Sequence, residues 1–164
     1  MSRPQAELRL LELLRSLHDH RVEHVVFGAV ALGFYGHVRA TADLDIIVRP
    51  GEENLRRVHD WLVELEAHLV LNPARPFGPR ERWKMFKGSN AAVLTRLGQV
   101  DVVQALPGLP DWDRLVAESE HYEVEALPVA VIARSTLIAL KQQRGSHLDL
   151  ADIEAIRMLD RLDE

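Results

Sequence analysis

The chain has 164 residues, 47% of them apolar and 27% charged, with a net charge of −5. A chain of this length suits one domain, since it can bury roughly two thirds of the surface it exposes when unfolded. The charge argues against a strongly electrostatic nucleic-acid binder. The lack of cysteine excludes disulfides, thiolate metal sites and thiol nucleophiles, and is compatible with a reducing cytoplasm.

The opening stretch, MSRPQAELRLLELLRSLHDH, mixes charges into an apolar stripe, so it reads as neither a signal peptide nor a membrane anchor. Leucines at 8, 10, 11, 13, 14 and 17 predict an amphipathic helix over 4–19. VEHVVFG predicts a short buried strand ending at Gly28, and AVALGFYG a buried helix stopping at Gly36. Even the most apolar run, 25–36, is shorter than the roughly 20 residues of a membrane span. A soluble, cytoplasmic protein with no membrane partner is expected. DLDIIV, 43–48, predicts a strand closed by Pro50, and 52–67 a surface helix with Leu55, Val58, Trp61, Leu62 and Leu65 on one stripe. Residues 71–90, rich in proline, glycine and positive charge, predict a long loop with a strand at 83–87. AAVLTRL and QVDVVQAL, separated by Gly98, predict a hairpin. Pro110 opens a short helix to about 119, and 121–133 holds one or two strands. Ser135 caps a helix to Arg144, and Ser146 with Asp149 forms a capping box for a last helix to about 162. The fold class is α+β: a small mixed β-sheet with flanking helices, a single domain over 1–164 with the C-terminal helices 135–162 packed on it.

Aspartate is among the residues that strands reject. Asp43 and Asp45 nevertheless stand one residue apart on a predicted strand, so both point to one face while Leu44, Ile46 and Val48 face the core. A hard divalent cation, Mg²⁺ or Mn²⁺, relieves the repulsion between such carboxylates. Asp101 in QVDVVQ brings a third if its strand lies beside the first, with all three on an exposed edge of the sheet, enough to hold metal for phosphoryl transfer. The bland alternative has Asp43 capping the strand and Asp45 pairing with an arginine such as Arg39.

Gly28, the helix after it, GHVRATADLDIIV and the later VDVV strand together resemble the nucleotidyltransferase superfamily of polymerase-beta type. More narrowly, FGAVALGFYGHVRATADLDIIV is similar to the small bacterial nucleotidyltransferase-like proteins that include toxins of type IV toxin–antitoxin systems, and LIALKQQRGSHLDLADI resembles their helical Lys, Arg, Asp, Asp segment. The resemblance covers residues 24–50, 99–105 and 135–155. It implies that Gly28 is the phosphate-turn glycine, that Asp43 and Asp45 are metal ligands, and that Asp101 is the third carboxylate, which helps activate the attacking hydroxyl. It also implies that Lys141 faces the triphosphate of an NTP. One position departs: Ala29 stands where the family has glycine or serine, so the backbone donor is kept and a hydroxyl contact is lost.

Lys141 and Arg144, three apart on a helix, suit either a phosphate clamp or a solvated helix end. Arg39 and Thr41 are expected to line the site entrance, or Arg39 to balance the carboxylates. Asp149 and Asp152 are expected to cap the last helix and pair with Arg144. The basic segment 75–87, with Phe77, Trp83 and Phe86 interleaved, is either a nucleic-acid contact or an exposed hairpin whose aromatics reach the core. The eight histidines form no ligand spacing. The expected function is Mg-dependent transfer of a nucleoside monophosphate from an NTP to an acceptor hydroxyl, toxin-like on RNA and with an antitoxin partner. The alternatives are a small-molecule acceptor of aminoglycoside type and an inactive nucleotide-binding or protein-interaction module.

Overall fold

The computed structural model describes residues 7–77, 83–84 and 87–164, with backbone alone for 74–76. Its elements run α1 (Leu10–Asp19), β1 (His24–Phe27), α2 (Gly28–Phe34), β2 (Asp43–Val48), α3 (Glu52–Glu64), β3 (His68–Leu69), β4 (Asn72–Pro76), β5 (Ala91–Thr95), β6 (Gly98–Val103), α4 (Trp112–Glu118), β7 (Glu120–Val124), β8 (Leu127–Val131), α5 (Arg134–Arg144) and α6 (His147–Leu162). The strands form one mixed sheet in the order β4-β3-β5-β6-β2-β1-β8-β7. The β1·β8 and β2·β6 pairs are parallel and the others antiparallel.

The apolar runs build the centre. Val25, Val26, Leu44, Ile46, Val100 and Val102 are buried on β1, β2 and β6. The stripe of α3 buries Leu55, Val58, Trp61 and Leu62, and the Trp61 indole N–H donates to Ser16 Oγ at 2.8 Å, tying α3 to α1. Buried Asn54 is fully used: its side chain accepts from Glu23 N–H and donates to the carbonyls of Glu23 and Arg49, fastening the start of α3 to the ends of β1 and β2. Arg134 lies over the Tyr35 ring, and the Tyr35 hydroxyl donates to the Ile132 carbonyl, locking the end of α2 to β8.

Several expected boundaries move. Helix α1 begins at Leu10 because the Arg9 N–H donates to the Leu97 carbonyl and Leu8 lies against Gly98, holding 8 and 9 on the β5–β6 turn. Helix α3 stops at Glu64: Glu66 turns left-handed, and the N–H groups of 66 and 67 close back on Val63 and Leu62. The loop expected over 71–90 begins with β4, which pairs with β3 in an unforeseen hairpin at the sheet edge. The strand expected at 83–87 falls partly outside the described residues. Trp83 and Lys84 form a short helical turn instead, with Trp83 buried and the Arg56 guanidinium over its ring. Helix α5 is capped by Ala133 with no side-chain bond, one residue before Arg134, so Ser135 lies inside the first turn. The capping box of α6 is present: Ser146 Oγ accepts from Asp149 N–H and the Asp149 carboxylate from Ser146 N–H. No helix among the described residues is long and apolar enough to cross a membrane.

Candidate active site

Strand alternation sets the site. Along β2, Asp43 and Asp45 are half-buried while Leu44 and Ile46 between and beyond them are fully buried. Parallel pairing with β6 puts Asp45 directly opposite Asp101, so the three carboxylates share one face of the sheet. One oxygen from each lies within 4.8 Å of the others. The strands concerned are the central pair of the sheet, a correction to the exposed edge expected from sequence.

Gly28 opens α2 with φ +69°, a left-handed conformation that side chains resist. A Cβ at this position would also sit 2.0 Å from Asp45 Oδ2. Glycine is therefore required twice, for its backbone and for the approach of the carboxylate. Phe27, just before it, pairs with Asp45 across the β1–β2 ladder.

Electrostatics bear the marks of a strained acidic cluster. Burial, hydrogen bonding to Asp101 and the charges of Asp43 and Asp101 push the Asp45 carboxyl up to about 8, with Arg144 pulling the other way. Asp43 is also raised, by burial first and then by Asp101. The Thr41 hydroxyl donates to the Asp43 carbonyl at 3.0 Å and reaches its carboxylate at 3.4 Å. Asp101 Oδ1 is buried with no hydrogen-bond partner among the described residues. Three clustered carboxylates, one with an orphaned oxygen, form a hard-oxygen donor set of the kind that Mg²⁺ and Mn²⁺ take, so the residues present fit a divalent cation.

The carboxylates line a cleft of about 600 Å³ together with Gly28, Ala29, Arg39, Thr41, Lys141 and Arg144, so every residue singled out for the site from sequence borders one cavity. The pairing of Lys141, Arg39 and Asp152 differs from expectation. Lys141 borders the cleft but is nearly buried, its ammonium held on Asp152 Oδ2 at 2.9 Å. Asp152 does not pair with Arg144; it takes Lys141 and Arg39 instead. Asp149 does take Arg144, through bonds of 2.8 and 2.6 Å that hold its carboxyl well below the usual carboxylate range. Arg39 pairs with Asp152 rather than with Asp45. Sequence reading missed the apolar wall of the cleft, where Leu106, Pro107, Leu140 and Leu148 stand. Leu106 and Pro107, between β6 and α4, gave no periodic signal to place them there, and helical spacing alone does not say which face of α5 or α6 meets the cleft.

No family model matches the sequence, and no curated protein does. Solved structures do match. A nucleotidyltransferase-like antigenic protein from Paracoccidioides brasiliensis aligns at 16% identity with a TM-score of 0.58, over 88% of this chain and 72% of that one. The lincosamide antibiotic adenylyltransferase LnuA, with lincomycin bound, aligns at 12% identity and TM-score 0.61, over 92% of this chain and 95% of its own. The chain has the nucleotidyltransferase fold. The antibiotic-resistance factor ANT(2″)-Ia shares it at TM-score 0.59 and 12% identity, over 94% of this chain and 82% of that one. Within this nucleotidyltransferase fold the acidic cluster occupies β2 and β6, and the cations of the cleft come from α5 and from the stretch between α2 and β2.

Proposed function

We propose that this chain transfers a nucleoside monophosphate from an NTP to an acceptor hydroxyl, releasing pyrophosphate. The observation that carries the reading is the convergence of Asp43, Asp45 and Asp101 in one cleft with Arg39, Lys141 and Arg144. Asp43, Asp45 and Asp101 would hold Mg²⁺ or Mn²⁺, which supplies charge neutralisation and Lewis-acid activation at the phosphates. The chain's own groups do the remaining work. The Asp101 carboxylate, which lines the cleft, would accept the proton of the acceptor hydroxyl. The Arg144 side chain, 68% exposed though anchored on Asp149, offers its guanidinium to the triphosphate. Gly28 and Ala29 supply backbone N–H groups beside Asp45, and the apolar wall keeps water from competing with the acceptor.

The acceptor reading has two branches. A toxin-like action on RNA, with an antitoxin partner, rests on the basic segment 75–87, of which 78–82, 85 and 86 lie outside the described residues. A small-molecule acceptor is favoured by the likeness to proteins that carry antibiotics, LnuA with lincomycin among them. Among the described lining residues no carboxylate stands beyond the cluster itself, and the apolar wall suits an uncharged acceptor better than a polycationic aminoglycoside.

Label in the α position of the NTP is expected to pass to an acceptor, and label in the γ position to leave with pyrophosphate. Total tRNA and a panel of antibiotics, lincosamides and aminoglycosides included, serve as acceptors. Asp101→Ala should cut transfer by at least about 100-fold while nucleotide binding stays measurable. Binding without transfer to any acceptor would support the inactive module, with Ala29 the first residue to suspect. Wild-type protein that binds no NTP in Mg²⁺ would end both readings.

A further inference from the structure

Two aspartates of α6 stand behind the cleft. Asp152 is 1% exposed, and its Oδ2 takes both the Lys141 ammonium at 2.9 Å and Arg39 Nη2 at 3.2 Å, while His37 Nε2 lies 3.9 Å from Oδ1. Asp149, fully buried, holds Arg144 by two bonds and stands 3.7 Å from Lys141. Here three cations face two carboxylates, and all three cations border the cleft that contains the acidic cluster. Arg39 comes from the stretch between α2 and β2, far in sequence from α5, and its Nε is buried without a partner among the described residues. One carboxylate thus holds in place two cations that approach the cleft from separate elements.

Lysine and arginine side chains lose considerable rotamer freedom when they fix a ligand. A carboxylate that has already immobilised them removes that cost at the moment of binding. We propose that Asp152 is a positioning residue: from α6 it presets Arg39 and Lys141 as a rigid pair that recognises the polyphosphate of the substrate, touching neither phosphate nor metal itself. The inference rests on the nucleotide-binding reading above, though not on the transfer step.

The test is calorimetric titration of wild-type, Asp152→Asn and Asp152→Glu protein with inorganic tripolyphosphate, ATP and AMP in Mg²⁺. Asp152→Asn is expected to weaken tripolyphosphate and ATP by at least about tenfold, the scale of one charge-assisted hydrogen bond. AMP should be held as before, and Asp152→Glu should restore most of the loss. A folded Asp152→Asn protein with wild-type tripolyphosphate affinity would overturn the proposal. So would a parallel loss for AMP, which a purely structural role produces. Should Asp152→Asn not fold, Arg39→Met leaves the Asp152–Lys141 pair intact and is expected to lose tripolyphosphate affinity; unchanged affinity overturns the proposal equally. Wild-type protein that binds tripolyphosphate but transfers nothing would fail the transfer reading and leave this one standing. Wild-type protein that ignores tripolyphosphate would overturn it.

Discussion

Asp45 holds its proton to about 8 in the folded, metal-free chain, whereas in the unfolded chain it titrates near 3.8. Between these values the native state binds the extra proton, so raising pH through this window costs stability. Asp43, also raised, acts in the same direction. Asp149 acts oppositely: held low by Arg144 and Ser146, it contributes stability above the ordinary carboxylate range that is lost as pH falls. Buried His24, its pKa lowered by desolvation, adds stability as pH rises toward 6.5 and opposes Asp43 and Asp45, so urea midpoints of the metal-free protein are expected to decline above that range, from about pH 6.5 to about pH 8. Asp45→Asn should flatten that decline, and Mn²⁺ should raise the wild-type midpoint most at the alkaline end, where the carboxylates are charged. A wild-type midpoint that rises steadily to pH 8 without metal would contradict the burial of these groups.

The C-terminal helix pair is the element on which the cations depend. Ser146 Oγ accepts from Asp149 N–H at 3.1 Å and donates to Asp149 Oδ2 at 2.6 Å, so the start of α6 and the anchor of Arg144 are one arrangement. Ser146→Ala should cost about 1 kcal/mol, read in calorimetry as a Tm lower by roughly 2–4 °C. It should also loosen Arg144, visible as weaker ATP binding; an unchanged Tm would show the box to be idle. This element was legible in the sequence because caps are local. The strands β1, β2, β5 and β6 were legible too, as apolar runs bounded by glycine or proline. The β3–β4 hairpin was not: β3 is two residues long and β4 carries Pro73 and Pro76, so neither shows alternation, and only pairing at the sheet edge makes them strands. The burial of Lys141 was hidden for a related reason. Helical spacing says which residues share a face, but its depth is set by Asp152 on another helix. Asp43, Asp45 and Asp101 were found because a carboxylate on an apolar strand is an anomaly visible without coordinates.

At the scale of the whole molecule the site depends on the β2–β6 pair, which is parallel and so has no tight turn to join it. Between these strands the chain runs through α3, β3, β4 and β5 before returning. Closing that excursion is entropically slow compared with forming helices. On refolding from urea, far-UV signal is expected to recover first and Mn²⁺ uptake only with the slowest phase; Mn²⁺ bound in the early phase would contradict this order. The alignment itself is enforced from outside, by β1 against β2 and by β5 against β6. Because side chains alternate along a strand, β6 displaced by one residue would turn Asp101 toward the core and present Val100 or Val102 beside Asp45. In the reading proposed above, the acidic cluster would work as a vernier on the sheet: a cation held there would certify that strands contributed by widely separated parts of the chain have met in the one alignment that leaves three carboxylates together.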